Sequence, residues 1–418
     1  MKIAIVGAGI IGVTTAWELA SDGHEVSVFE RRGAAAEEAS FANAGVVAPG
    51  YVTPWAAPGM RAKVLRSLLS SHGAIKLRWP LNSRDIGWMS RWQKACKLET
   101  YLANRARMQR LAFYSRTRLH EVTEARELSY ERSDGYLVLL RSKREKKLVR
   151  PGLDVLRAAG SVFREVDADE ARRIEPALST DTALAGAIYL PEDEVANCRQ
   201  FALLLKWEAE ALGAQFHFNC DIAPLSRADP TSVSLASGSP PLRFDAVVVC
   251  AGLASAALVR PLGLRIPLAP IYGHSISAPI RESLNAPRSA VMDERYKVAI
   301  SRLGQRVRVA GSAEIGGSLS TMNPSAVQTL YKVLHDWFPG AVTLQSGVQQ
   351  WKGARPMLPD GPPVLGASGV PGVWLNLGHG SSGWALSCGS ARVVADLIGG
   401  RDPGVDLEGL GVERLHLS

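Results

Sequence analysis

A chain of 418 residues, 46% of them hydrophobic, is long enough to bury a large core and to divide into about two domains. No stretch is apolar and long enough to span a bilayer as a helix, and five scattered cysteines without a CxxC pair argue against a disulfide framework or a metal centre. Forty-eight Lys and Arg against 40 Asp and Glu leave a net charge of +8, yet no basic segment has the form of a nucleic-acid module, so nucleic acid is not an expected partner.

The first predicted element is a strand over residues 3–6. It enters Gly7-Ala8-Gly9-Ile10-Ile11-Gly12, then a helical pattern, then a second apolar run over 26–29 closed by Glu30. This is a βαβ unit in which each glycine has its own task. Gly7 makes the tight turn, Gly9 lets the backbone approach a pyrophosphate, and Gly12 lets helix and strand pack closely. The helix N-terminus offers N–H groups to phosphate, and Glu30 is placed to accept hydrogen bonds from a ribose. Ile11 and Arg31 flank these residues and are assigned to the same dinucleotide surface. The fingerprint begins at residue 2, so no signal peptide is expected ahead of it and the chain reads as cytoplasmic with reduced thiols.

Residues 40–60 are rich in Ala, Gly and Pro and read as an ordered covering loop. Ser40, Asn43, Ala44 and Gly45 within it suit an isoalloxazine or pyrophosphate face. Residues 61–127 read as mostly helical. Between Glu38 and Asp85 there is no acidic residue, while Arg61, Lys63, Arg66, Lys76, Arg78 and Arg84 all fall there. Val64, Leu65, Leu68 and Leu69 recur beside them at helical spacing, between Trp55 and Trp79. Two readings stand: a basic amphipathic helix at residues 61–78 in peripheral contact with an anionic inner-membrane surface, or a helix packing its leucines on the core.

Further along, a strand is predicted at 136–140, helices at 141–150 and 153–159, a helix at 201–212 stopped by Gly213, and a strand at 215–219. A continuous apolar strand at 244–249 runs into Cys250-Ala251-Gly252, whose small residues permit close backbone approach. From 265 to 315 the pattern alternates, most clearly at 296–301 and 306–311, before a helix at 324–337. The tail carries Trp351-Lys352-Gly353-Ala354-Arg355-Pro356, then Gly378-His379-Gly380-Ser381-Ser382-Gly383-Trp384, and a final helix at 390–397. The predicted class is α+β: a Rossmann-type, doubly wound dinucleotide-binding domain (1–80, 145–265 and 350–418) interleaved with a mixed-sheet substrate domain (81–144 and 266–349).

Five longer stretches, SFANAGVVAPGY (40–51), PWAAPG (54–59), DERYKVAISR (293–302), RPMLPDG (355–361) and LNLGHGSSG (375–383), carry a resemblance. Over nearly its whole length the chain resembles the FAD-dependent D-amino-acid dehydrogenase (small subunit) branch of the D-amino-acid oxidase/glycine oxidase family. The resemblance implies FAD as the cofactor, with Gly7, Gly9, Gly12 and Glu30 on its ADP half. It places residues 40–45, Gly353 and His379 to Gly383 along the flavin, and Ile222 at the adenine.

It also implies that Arg355 binds the substrate carboxylate, a role that suits a charged, forked guanidinium. Pairing with Asp360 is the structural alternative. Tyr296 and Tyr51 are expected to hydrogen-bond substrate or merely to pack. The implied reaction is oxidation of a D-amino acid by hydride transfer to flavin N5, giving a 2-oxo acid and ammonia, with electrons passing to a quinone or another acceptor. Ile271-Tyr272-Gly273-His274-Ser275 departs from the Lys-Gly-Tyr-Ser-like run associated with these dehydrogenases. D-Proline or hydroxy-D-proline is therefore an alternative substrate, and a flavin-binding electron relay without its own substrate is an alternative role.

Overall fold

The computed structural model describes residues 1–415 except Leu69, Ser71, Pro80, Ala159 and Ser239; the side chains of Arg61, Leu65, Arg66 and Leu68 also lie outside the described residues, and with them much of the predicted leucine stripe. Two sheets organise the chain. The first has six strands in the order Val364–Ala367, Val373–Leu377, Ala246–Val249, Lys2–Val6, Glu25–Phe29 and Gln215–His217. All its pairings are parallel except the one between Val364–Ala367 and Val373–Leu377. Helices Ile10–Ser21, Cys198–Ala211 and Gly383–Ile398 cover one face with an apolar layer that includes Val13, Phe201, Trp384 and Leu386. Because Val6 is in register with both Phe29 and Val249, the carboxyl ends of three central strands stop together. Ligands of parallel sheets are held at that edge.

The second sheet is ten-stranded and mixed. Its main path runs Gln349–Met357, Ala269–Pro279, Arg306–Ile315, Val298–Leu303, Ala290–Asp293, Arg132–Leu140, Gly186–Ala196 and Val46–Val47. Helix Pro324–Trp337 packs on one face, burying Leu330, Val333 and Trp337 against Val298, Ile300, Val307 and Val309. Pro324 at its first position and Asn323 as its N-cap explain why the helix starts where the sequence placed it.

The α+β class with interleaved sheets is as expected, but its boundaries differ. Arg164–Val166, Gly186–Ala196 and Gln349–Met357 belong to the second sheet rather than the nucleotide-binding segments at 145–265 and 350–418. Helix Leu98–Ala125, expected within the substrate domain, instead packs Met108, Leu111 and Leu119 into the core of the first sheet. An apolar strand is equally apolar in either sheet, so local pattern does not reveal its neighbour.

The 61–127 region is broken into helices Met60–Leu68, Ser83–Ala95 and Leu98–Ala125, with strand Ile75–Leu77 adding to the second sheet. Lys76 is thereby drawn onto Ser325, 3.0 Å away, and Trp55 packs against Trp88 and Trp92. Trp79 is 75% exposed. Among the described residues no helix is long and apolar enough to cross a membrane.

Candidate active site

A cavity of about 420 Å³ lies between the carboxyl edge of the first sheet and the near face of the second. Its nucleotide end is made of backbone. Gly7 has φ +104°, and a Cβ there would stand 2.7 Å from the Cys250 carbonyl oxygen, so the turn requires glycine. A Cβ on Gly12 would fall 1.8 Å from the Gly7 carbonyl oxygen. Gly12 lines helix against strand and does not reach the cavity, whereas Gly7, Gly9 and Ile11 line it. Around Gly9 only Ser40 Oγ comes near a built Cβ, at 3.5 Å, which leaves space beside the helix N-terminus.

Ser40 Oγ accepts from the Ile10 N–H at 3.0 Å. Glu30 stands at the end of its strand, where its carboxylate accepts from the Ala8 and Arg32 N–H groups, 2.8 Å each. Arg31 lines the same wall and pairs with Glu38. Ile222, Ala251 and Gly252 complete this end, with Ile222 in an isolated bridge to Leu235.

The middle of the cavity is flanked by two further segments. Asn43, Ala44 and Gly45 form one wall, and the Asn43 side chain accepts from the Gly45 N–H at 3.0 Å. Opposite in sequence, His379, Gly380, Ser381 and Ser382 lead into Gly383–Ile398, which begins seven residues before the predicted helix start at Ser390. The helix N-terminus therefore lies at the cavity. His379 is buried, bonds Ser390 Oγ through Nε2 at 3.1 Å, and is pushed down to about 3 by burial, so its ring is neutral.

The far end is built by side chains of the second sheet. Arg355 lies on Gln349–Met357, in register with Ile271 and two positions from Gly273, and its guanidinium occupies the space a Gly273 Cβ would fill, at 2.3 Å from Nη2. Nη1 donates to the Ser312 carbonyl at 3.0 Å. Among the described residues no carboxylate pairs with Arg355, and burial brings its guanidinium down to about 10. Asp360, the structural alternative, is taken by Arg414 at 2.9 Å. Gly353 faces the cavity with the Trp351 indole lying across it, a built Cβ meeting that ring at 1.8 Å. Tyr51 lines the cavity edge-on to Tyr136, and burial raises its phenol well above the ordinary range, which keeps it a neutral donor.

Tyr296 is not part of this cavity. It sits in the turn before strand Val298–Leu303, beneath the Arg141 guanidinium at 5.1 Å and edge-on to His72, on the side covered by the 324–337 helix. The strand starts two residues after the expected 296, and Tyr296, in the turn before it, falls on the same side as Val298 and Ile300 against the helix, whereas Ala299 faces the cavity. Tyr136, Met292, Lys297 and Trp351 line the same end without having been singled out as site residues. Trp351 and Lys297 fell within quoted stretches; Tyr136 and Met292 carry no local signal, because only strand pairing brings them there.

These features suit FAD. The glycine cradle leaves room for a pyrophosphate, Glu30 stands where a ribose would lie, and the middle has the Asn43 and Ala44 N–H groups, without an acceptor among the described residues, on one side and a helix N-terminus on the other.

Residues 2–397 match the model of the DAO family, described as FAD dependent oxidoreductase. The chain is 43% identical over 416 residues to the D-amino acid dehydrogenase of Cereibacter sphaeroides, covering 99% of this chain and 95% of that one. It is 40% identical over 416 residues to the D-amino acid dehydrogenase of Rhizobium johnstonii, covering 99% and 100%. Among solved structures, glycine oxidase from Geobacillus kaustophilus superposes with a TM-score of 0.73 at 22% identity, over 98% of this chain and 97% of that one.

Proposed function

This chain belongs to the DAO family of FAD-dependent oxidoreductases, and from that premise we propose that it oxidises D-amino acids to 2-oxo acids and ammonia. The observation that carries the reading is Arg355: a half-buried guanidinium at the flavin end of the cavity, with no carboxylate of its own among the described residues. Left uncompensated, such a charge is costly, and a substrate carboxylate held through both arms of the fork offsets the cost.

When bound, FAD supplies the hydride acceptor. The protein supplies orientation. Arg355 holds the carboxylate and thereby fixes the direction of Cα–H. Tyr51, kept neutral by burial, is in place to donate a hydrogen bond to substrate. Met292, Ala299, Ala310 and Trp351 offer a mainly apolar wall to the side chain and exclude water. With the amine neutral, its lone pair assists hydride departure and no protein base is required. The imino acid leaves and hydrolyses in solvent. A pure electron relay would have no use for Arg355.

The acceptor in this reading is a quinone or another carrier. A peripheral membrane contact is supported by the surface of residues 79–98, where Trp79 (75% exposed), Ile86 (58%) and Leu98 (61%) stand among exposed Arg84, Arg91, Lys94 and Lys97. Salt-sensitive binding to anionic vesicles is expected; no sedimentation with vesicles at low salt would remove the membrane part and leave the chemistry standing.

The activity is tested by supplying a dye acceptor and a panel of D- and L-amino acids, with D-proline included, to the FAD-loaded protein. The expected result is dye reduction from D-isomers alone, with equimolar 2-oxo acid and ammonia from each primary D-amino acid; oxidation of D-proline gives a cyclic imino acid and no ammonia. Turnover restricted to L-isomers, or none with any amino acid, overturns it.

A further inference from the structure

The loop that covers the middle of the cavity is pinned in an orderly way. Four consecutive carbonyl oxygens accept from four different strands of the second sheet. Ser275 Oγ donates to Ala42 at 2.8 Å, Arg308 Nη1 to Asn43 at 3.2 Å, Ser301 Oγ to Ala44 at 2.8 Å, and the Ala196 N–H to Gly45 at 2.8 Å. Ser275 and Ser301 are 1% and 0% exposed. In a trans peptide the N–H of each following residue points opposite to the carbonyl. Pinning carbonyls 42 to 44 onto the sheet therefore turns the N–H groups of Asn43, Ala44 and Gly45 away from it. Gly45 N–H is taken by the Asn43 side chain, while those of Asn43 and Ala44 have no acceptor among the described residues and belong to residues lining the cavity.

Arg308 adds a charge. It pairs with no carboxylate among the described residues, and its Nε is buried without a partner.

We infer that Ser275, Ser301 and Arg308 are positioning residues for the flavin: they aim the Asn43 and Ala44 N–H groups at its ring system, and the unneutralised Arg308 charge behind that loop raises its reduction potential. The inference rests on FAD occupying this cavity. Two-electron reduction adds negative charge to the ring, so fixed donors and a nearby cation favour the reduced form. The second sheet, which carries Arg355, thus also sets how readily the cofactor accepts electrons.

The test is the midpoint potential of FAD-loaded parent and variants, measured by reductive titration against a reference dye. Arg308→Met is expected to shift the reduction equilibrium about tenfold toward oxidised flavin, about 30 mV for a two-electron couple. Arg308→Lys keeps the charge and is expected to stay near the parent. The double variant Ser275→Ala, Ser301→Ala is expected to move the visible flavin band and weaken FAD binding about tenfold. Ser277→Ala, on the same strand as Ser275 but bonded to Arg306 rather than the loop, is expected to change neither.

A parental potential in Arg308→Met overturns the charge, and an unchanged band and affinity in the serine double variant overturns the pinning. If Arg308→Met does not fold, a parental potential in the serine variant decides against the inference. Parent protein that bleaches with a D-amino acid while every variant keeps its potential rejects this inference alone; parent protein that holds no FAD rejects the proposed function with it.

Discussion

The two ends of the cavity are built by different means. The nucleotide end is backbone: two glycines that tolerate no Cβ, a helix start, and one carboxylate held by peptide N–H groups. The flavin and substrate end is side chain, delivered by strands far apart in sequence, with Arg355 laid over Gly273 and Trp351 over Gly353. Backbone sites depend on local spacing and fail completely when a Cβ intrudes. Side-chain sites depend on sheet register, and a single change there should alter substrate handling while leaving the cofactor in place.

The largest contrast is expected among the fingerprint glycines. Gly12→Ala puts a Cβ against the Gly7 carbonyl and should cost about 4 kcal/mol or more, seen as little soluble protein. Gly9→Ala meets only Ser40 Oγ, at a comfortable 3.5 Å. It should fold within about 0.5 kcal/mol of the parent yet bind FAD at least about tenfold more weakly, because its methyl enters the pyrophosphate space. Equal FAD affinity in Gly9→Ala would break the distinction between a packing glycine and a cofactor glycine.

Next comes the other end. Arg355→Lys keeps the charge and loses the fork, and should lower kcat/KM by about 1.5–3 kcal/mol, mainly through KM, with FAD content unchanged. Parallel loss of FAD would mean that Arg355 holds cofactor rather than substrate.

A pH series separates two kinds of buried group by sign. His379 and His274 are held down to about 3 and about 4 by burial, so the folded state keeps them neutral. Their folded values lie below the unfolded one. The stability they contribute is present above about pH 6.5 and is lost as pH falls toward the folded values, on the order of 1 kcal/mol per pH unit for each. Denaturant unfolding at pH 7.5 and pH 5 should show the fall, and His379→Gln should flatten it.

Asp193, on the second sheet beside Arg116 of helix Leu98–Ala125, acts oppositely. Burial pushes its carboxyl up to about 7, above the unfolded value, so ionising it costs stability above pH 7 and not below about 4. Asp193→Asn should stabilise the protein at pH 8 and lose that advantage as the pH drops; a gain independent of pH would contradict the assignment.

The same division decides what could be read in advance. The glycine fingerprint, Glu30, the 324–337 helix and the 40–45 loop were legible because each is a local pattern. Arg355 was legible as a residue type in a resembling stretch, but not the Gly273 that seats it, since the two lie on neighbouring strands that three further strands and a helix separate in sequence. Tyr296 was misplaced because the sequence does not show which face of the sheet meets the cavity: Tyr296 lies with Val298 and Ile300 against the helix, while Ala299 faces the cavity. The domain boundaries failed for Gly186–Ala196 and Leu98–Ala125, whose apolar patterns would fit either core.

The central claim, that the second sheet presents a carboxylate clamp over the flavin, is most directly tested by anaerobic rapid mixing of FAD-loaded protein with D-alanine and with D-alaninamide, following flavin bleaching. The amide keeps the amine and Cα–H but lacks the carboxylate charge. The account predicts saturable bleaching by D-alanine and an apparent affinity for the amide about tenfold to a hundredfold weaker, with that gap largely closed in the uncharged Arg355→Met. Equal affinity for acid and amide in the parent protein would contradict it.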